Sequence, residues 1–148
     1  MKRLWIVGLF LMLIVMIATP LRALGRRQEF AARVYYIPFH VQTYKPVTPQ
    51  TIEQVAHQKL VLHEESDALR QLITALDYKA VPGQLDEQMV RLKVVWRFQT
   101  YLVDADGGAR DKESNYQVNA NEIEGLVKAL ISSETSKANA AIPPTKEM

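Results

Sequence analysis

The side chains that most often bind metals or perform acid–base chemistry are few and scattered in this sequence. The chain has no cysteine and three histidines, His40, His57 and His63. No two of them are four residues apart, and there is no HExxH or His-x-His pattern, so the spacings typical of a zinc site are absent. We therefore expect no metal site and interpret the histidines as ordinary surface residues.

An acidic segment in the second half of the chain begins like a calcium-binding loop, with Asp104, Asp106 and Gly107. An EF-hand loop starting at Asp104 would need an oxygen ligand at its fifth position and a glutamate at its twelfth. This chain has Gly108 and Asn115 at those positions. Since Asp-Gly is also typical of hairpin turns, we expect a β-hairpin at this point and no calcium site.

Sequence patterns typical of enzymes are also missing. No serine lies in a GxSxG motif, and there is no glycine-rich phosphate loop. Adjacent carboxylates occur at Glu64-Glu65 and Asp86-Glu87, each beside the predicted start of a helix or strand. Negative charge before a helix N-terminus is favourable without any catalytic role. We expect the protein not to be an enzyme and to require no cofactor.

The chemistry that the sequence does suggest is protein recognition. In the segment from Met89 to Asp104, three cations and one tyrosine occupy odd-numbered positions: Arg91, Lys93, Arg97 and Tyr101. The even-numbered positions are mainly apolar: Val90, Leu92, Val94, Trp96, Phe98, Thr100 and Leu102. This alternation predicts one long strand that buries its even-numbered face, including Trp96 and Phe98, and leaves the cationic face open.

Two interpretations of that cationic face are possible. Arginine and tyrosine often anchor protein interfaces, so Arg91, Lys93, Arg97 and Tyr101 are our candidate partner-binding residues. Alternatively, the face is simply solvated, and its charges prevent unwanted strand pairing.

The elements around this strand predict an α+β fold. We expect a small antiparallel sheet of about four strands with two or three helices packed on one face. The predicted helices begin at three capping signals: Thr48-Pro49, Ser66-Asp67 and Asn119. The predicted domain spans residues 33–131. Residues 132–148, which are small and polar and include two adjacent prolines, are expected to form a disordered tail.

Residues 1–25 are predicted to be a signal peptide or a transmembrane anchor, followed by a linker at 26–32. An uncharged apolar run extends from Leu4 to Ala18 after two cations. The residues expected to contact lipid are distributed along this run: Leu4, Trp5, Phe10, Leu13 and Ile17. The sequence alone leaves the choice between cleavage and anchoring open.

Each alternative for the N-terminal segment has one feature in its favour. Ala23-Leu24-Gly25 offers the small residues that a cleavage site needs, but Arg22 and Arg26-Arg27 flank it unusually closely. An apolar helix over 4–18 would be about 22 Å long, short for a hydrocarbon core of about 30 Å. Continuing it to Leu24 with Arg22 snorkelling would close the gap, so we favour an anchor. The predicted location is the bacterial inner membrane, single-pass with the domain in the periplasm, or the periplasm after cleavage.

The charge distribution argues against nucleic acid as a partner. Of the eighteen lysines and arginines, five lie within residues 1–27, where there are no acids. Thirteen cations against sixteen acids remain in residues 28–148, a net charge of −3. A nucleic-acid-binding domain normally concentrates cations in its folded part. The expected partners are therefore another protein and, through residues 1–25, the membrane.

The functional expectation that remains is a non-catalytic protein-binding module of the bacterial envelope. The leading hypothesis is an immunity- or inhibitor-type protein that neutralises an exported toxin or hydrolase. The alternative is an accessory structural subunit of an inner-membrane complex, held there by its N-terminal helix. This expectation depends on exclusion and on analogy between small exported domains.

Overall fold

A computed structural model of the protein describes residues 31–63, 65–112 and 114–140. The predicted signal or anchor at 1–25 lies outside the described residues, as do most of the linker and residues 141–148. The described strands are β1 (Ala32–Tyr36), β2 (Gln58–Leu62), β3 (Val81–Pro82), β4 (Val90–Trp96), β5 (Gln99–Asp104), β6 (Gly108–Arg110) and β7 (Asn115–Gln117). The helices are α1 (Ile52–Val55), α2 (Asp67–Leu76) and α3 (Ala120–Ala140). None of these helices combines the length and the apolar character needed to cross a membrane.

The strands form one seven-stranded antiparallel sheet in the order β2-β1-β4-β5-β6-β7-β3. The prediction of about four strands is therefore wrong. The segment interpreted as one long strand is two strands, the chain after the hairpin turn at Asp104 forms two more, and Val81–Pro82 form β3 between α2 and β4. Short strands are easily missed, because two or three residues show no measurable alternation.

The central correction concerns the segment from Met89 to Asp104. It is a hairpin in which β4 and β5 pair antiparallel, with Trp96 opposite Gln99 and Arg97–Phe98 as a two-residue turn. Arg97 has a φ of 53°, a left-handed conformation that is usually taken by glycine. Neither residue is a typical turn former, so the sequence contained no sign of the reversal.

The turn exchanges the faces on which odd- and even-numbered residues lie. Val94 of β4 is paired with Tyr101 of β5, and Lys93 is paired with Leu102. Cross-strand partners point to the same side of a sheet. Tyr101 therefore shares the buried face with Val94, while Leu102 lies with Lys93 on the opposite face.

The larger core lies between the sheet and the helices α2 and α3. It joins the inward residues of both helices to those of β1, β4 and β5, including Val34, Leu92, Val94, Tyr101 and Val103. Trp96, predicted to be at the centre of the buried face, is partly buried at its margin. Phe98, predicted to be in the core, is 89% exposed at the hairpin turn.

A second, smaller core lies on the other face of the sheet. It consists of Ile37, Val47, Ile52, Leu85, Val90 and Leu102, so α1 and the segment before it cover part of this face. The expectation that all helices pack on one face is therefore wrong. Val90 reaches this cluster because the β4–β5 register shifts between Val90 and Leu92, which is a β-bulge.

The capping signals predicted for the two long helices are confirmed. The Ser66 hydroxyl accepts a hydrogen bond from Leu69 N at 3.2 Å at the start of α2. At the start of α3, Asn119 Oδ1 accepts bonds from Asn121 N and Glu122 N at 3.1 and 3.2 Å. Helix α3 continues to Ala140, so residues 132–140, which were assigned to a disordered tail, are helical.

Candidate functional site

The four residues predicted to form one partner-binding face do not share an exposed surface. Arg91 is 3% exposed, and its guanidinium donates hydrogen bonds to the carbonyl oxygens of Val90 and Val41, both at 3.2 Å. Burial lowers the pKa of Arg91, and the Asp104 carboxylate opposes that change. Because these bonds connect β4 to the segment after β1, Arg91 has a structural role in the interior.

Lys93 connects β4 to helix α1. Its ammonium group donates to the Pro49 carbonyl oxygen at 3.1 Å and forms an ion pair with Glu53. The Lys93 side chain is 16% exposed. It therefore holds α1 against the sheet, and only a small part of it is accessible to a partner.

Tyr101 is fully buried beneath α2. Its hydroxyl lies 2.7 Å from Asp77 Oδ1, at the end of that helix, and 2.6 Å from Gln99 Oε1, and both oxygens are hydrogen-bond acceptors. Burial, and after it the bond to Asp77, raises the pKa of Tyr101 well above its ordinary value of 10.0. Tyr101 is therefore a neutral hydrogen-bond donor inside the molecule and is not available at its surface.

Arg97 is the one predicted residue that lies at an accessible site, the turn of the β4–β5 hairpin. Its Cζ lies 4.6 Å from the centroid of the Trp96 ring, and its Nη2 lies 2.5 Å from Glu65 Oε1. A cation over an indole ring and an ion pair are both favourable. These contacts hold the turn in its left-handed conformation, which costs a non-glycine residue about 1–2 kcal/mol, and Phe98 projects beside them.

A groove of about 1130 Å³ lies between α2, α3 and the β3–β7 edge of the sheet. Its floor contains Ala75, Val118, Ile123 and Leu126. Two large apolar side chains stand at its rim, Tyr78 at 71% exposure and Val81 at 54%. The polar lining residues are Asp67, Arg70, Gln71, Thr74, Gln117, Asn119 and Glu122. We call this surface the α2–α3 groove.

Sequence reasoning missed this groove. Ala75, Ile123 and Leu126 belong to the two helices whose starts were predicted at Ser66 and Asn119, but no functional prediction was made for Tyr78 or Val81. A tyrosine immediately after the predicted end of an amphipathic helix was the available signal. The sequence could not show that Tyr78 would lie near α3, because that helix begins more than forty residues later in the chain.

Two carboxylates outside the groove have structural partners. Asp104, which began the calcium-like motif, is 3% exposed and accepts hydrogen bonds from three backbone amides, those of Asp86, Asp106 and Gly108, at 2.7–2.9 Å. Its carboxylate therefore organises the hairpin turn that was predicted at this position. No cluster of three or more potential metal-binding side chains occurs in residues 31–63, 65–112 and 114–140.

A second carboxylate joins α3 to the end of β1. Glu124 Oε1 accepts hydrogen bonds from the Tyr36 hydroxyl at 2.7 Å and from Phe39 N at 3.2 Å, and Lys128 lies 3.4 Å away. The bond from Tyr36 lowers the pKa of Glu124, assisted by Phe39 N and Lys128 and opposed by burial. Neither Glu124 nor Tyr36 lines the α2–α3 groove.

Comparison with protein-family models, curated proteins and solved structures found no match to this chain. The fold and the groove therefore define the protein only as a helix-covered antiparallel sheet with an open apolar recess. Any functional conclusion depends on the chemistry of its surfaces.

Proposed function

We propose that this chain is a non-catalytic protein-binding module of the bacterial envelope, of the immunity or inhibitor type. In this proposal it captures an exported toxin or hydrolase in the α2–α3 groove. The observation that supports it is the pairing of an apolar floor with Tyr78 and Val81, which remain largely exposed at the rim. Large apolar side chains grouped at a concave surface are typical of sites that another protein covers.

The residues that line the groove indicate which surface chemistry a partner must present. Partly buried Val118 and Leu126 offer an apolar surface in the groove, which suits the apolar face of a helix or a loop. On the α2 side, Arg70 and Asp67 form a surface ion pair at 3.4 Å. A partner with an apolar centre and a polar border would complement this arrangement, and aromatic Tyr78 would be its anchor.

This surface differs from the one expected from the sequence. The cationic face made of Arg91, Lys93, Arg97 and Tyr101 does not exist as a continuous surface, because Arg91 and Tyr101 are buried and Lys93 is mostly covered. The proposed interface is therefore on the helical side of the molecule.

The test is capture and inhibition with a groove variant. Full-length protein carrying Tyr78→Glu is compared with the wild type and with Tyr44→Glu, a control at a fully exposed tyrosine outside the groove. Proteins captured from the envelope are identified by mass spectrometry and purified, and their activity is measured with and without the chain. We expect Tyr78→Glu to weaken the complex by at least about 2 kcal/mol, roughly 30-fold in Kd, because hot-spot residues contribute that much.

The outcomes separate the possibilities. Stoichiometric inhibition of a captured hydrolase or toxin, lost in Tyr78→Glu and retained in Tyr44→Glu, supports the proposal. Equal binding by both variants would remove the groove from consideration. Co-purification with an inner-membrane complex without any inhibition would favour the accessory-subunit alternative.

A further inference from the structure

The β4–β5 hairpin turn lies at the end of the sheet where the chain enters from its N-terminal segment. The first residue of β1, Ala32, is paired with Trp96, the last residue of β4. The turn residues Arg97 and Phe98 follow Trp96 directly. The chain before Ala32 and the exposed Phe98 ring therefore belong to the same end of the domain.

The length of the preceding segment limits how far this end can lie from a bilayer. An apolar run occupies residues 4–18, and cations occur on both sides of it, at Lys2 and Arg3 and again at Arg22, Arg26 and Arg27. If the anchor extends to residue 25, as the proposed membrane location implies, residues 26–31 can span at most about 20 Å. Ala32 is then held within about 20 Å of the lipid headgroup region, and the hairpin turn lies at that end of the domain.

The turn has the chemistry of a membrane-interface contact. Phe98 is 89% exposed and lies on a turn whose conformation is held by the Arg97 contacts to Trp96 and Glu65. An aromatic ring next to an arginine suits the bilayer boundary, where the ring enters the acyl region and the guanidinium stays near phosphates. A fixed turn also keeps the ring outside the domain without any further conformational change.

We propose that the β4–β5 hairpin turn docks on the surface of the bilayer in which the chain is anchored, with Phe98 inserted at the lipid interface. This inference rests on the envelope location in the proposed function and on the anchor that the sequence favours for residues 1–25. It adds a second contact with the bilayer, which orients the domain relative to the membrane.

The chain has no cysteine, so one introduced thiol carries one label. Full-length Phe98→Cys is labelled with an environment-sensitive fluorophore and reconstituted into vesicles of phosphatidylcholine and phosphatidylglycerol, with or without doxyl-labelled lipid. The matched control is Asp106→Cys, also exposed at a hairpin turn. That turn follows Asp104, which pairs with Val90 at the start of β4, about 20 Å from the turn at Phe98.

We expect doxyl lipid to quench the label at position 98 at least twofold and to leave the label at position 106 unquenched. Equal quenching at the two positions would overturn the docking. Vesicle flotation after an alkaline wash tests the anchor separately in the same samples. Protein that floats without quenching at position 98 refutes the docking alone, whereas protein that fails to float refutes the anchor and the docking together.

Discussion

Replacing Tyr101 by phenylalanine removes one hydroxyl from a fully buried site and tests how the interior is stabilised. The hydroxyl of Tyr101 lies 2.7 Å from Asp77 Oδ1, which links β5 to the end of α2, and 2.6 Å from Gln99 Oε1 on its own strand. A hydrogen bond to a charged group contributes about 1.5–3 kcal/mol to stability. Because Asp77 is exposed and water can replace the lost donor, we expect a loss near the lower limit, about 1.5 kcal/mol.

Tyr116 provides a matched control in the same core. It is 1% exposed, and its hydroxyl has no hydrogen-bond partner in the described part of the chain. A buried unsatisfied polar group costs about 1–3 kcal/mol, so Tyr116→Phe should leave the stability unchanged or increase it. The two variants lose the same atom from the same residue type, and only their hydrogen bonding differs.

Urea unfolding of the full chain, followed by far-ultraviolet circular dichroism, measures both effects. With a slope of about 2 kcal/mol per molar urea, Tyr101→Phe should lower the midpoint by about 0.7 M at constant slope. Tyr116→Phe should not lower it. If the two variants were equally destabilised, the loss would come from packing at the ring edge, and the role assigned to the Tyr101–Asp77 bond would be refuted.

Three further substitutions test one carboxylate and two glycines. The bond from Tyr36 holds the pKa of Glu124 below its ordinary value of 4.5, so the ionised group contributes stability above pH 4.5 that is lost as the pH falls through the lower folded-state pKa. Glu124→Gln should therefore flatten the acid dependence of the free energy of unfolding, measured by urea titrations at several pH values. An unchanged pH profile would contradict this. At Gly108 a Cβ would overlap the Gln84 carbonyl oxygen and Asp104 Oδ2, so Gly108→Ala should cost about 3 kcal/mol by overpacking. Gly125→Ala in helix α3, where a Cβ would meet nothing within 4 Å, should stabilise by about 0.5–1 kcal/mol. Thermal melts that rank these two variants the other way would disprove this reasoning.

Local signals predicted the parts of the fold that depend on neighbouring residues. Ser66 and Asn119 cap their helices because a side-chain oxygen needs only the backbone amides of the next turn. The turn after Asp104 was predicted for the same reason, since Gly107, with a φ of 86°, supplies a conformation that few other residues adopt. These interactions join residues only a few positions apart, and the sequence shows them directly.

The prediction of one long strand was wrong because its evidence was compatible with two structures. Alternating apolar residues from Val90 to Leu102 predict a strand on each side of Arg97, but they do not show whether the chain reverses between them. The reversal depends on Arg97, whose left-handed conformation is held by Glu65, thirty-two positions away. Because of this two-residue turn, Tyr101 is buried and Phe98 is exposed, whereas the sequence predicted an exposed Tyr101 and a buried Phe98.

By itself the sequence determined where polar caps start the two long helices, where glycine turns the chain after Asp104, and that five of the eighteen cations lie within residues 1–27. The cap predicted at Thr48-Pro49 was wrong, because the first helix begins at Ile52 without a side-chain cap. The tertiary structure decided which segments of the chain meet. The α2–α3 groove requires Tyr78 to stand beside Leu126, and the proposed membrane contact requires Phe98 to share an end of the sheet with Ala32. Such surfaces depend on contacts between residues far apart in the chain, and these follow from packing the whole molecule rather than from the preferences of any one segment.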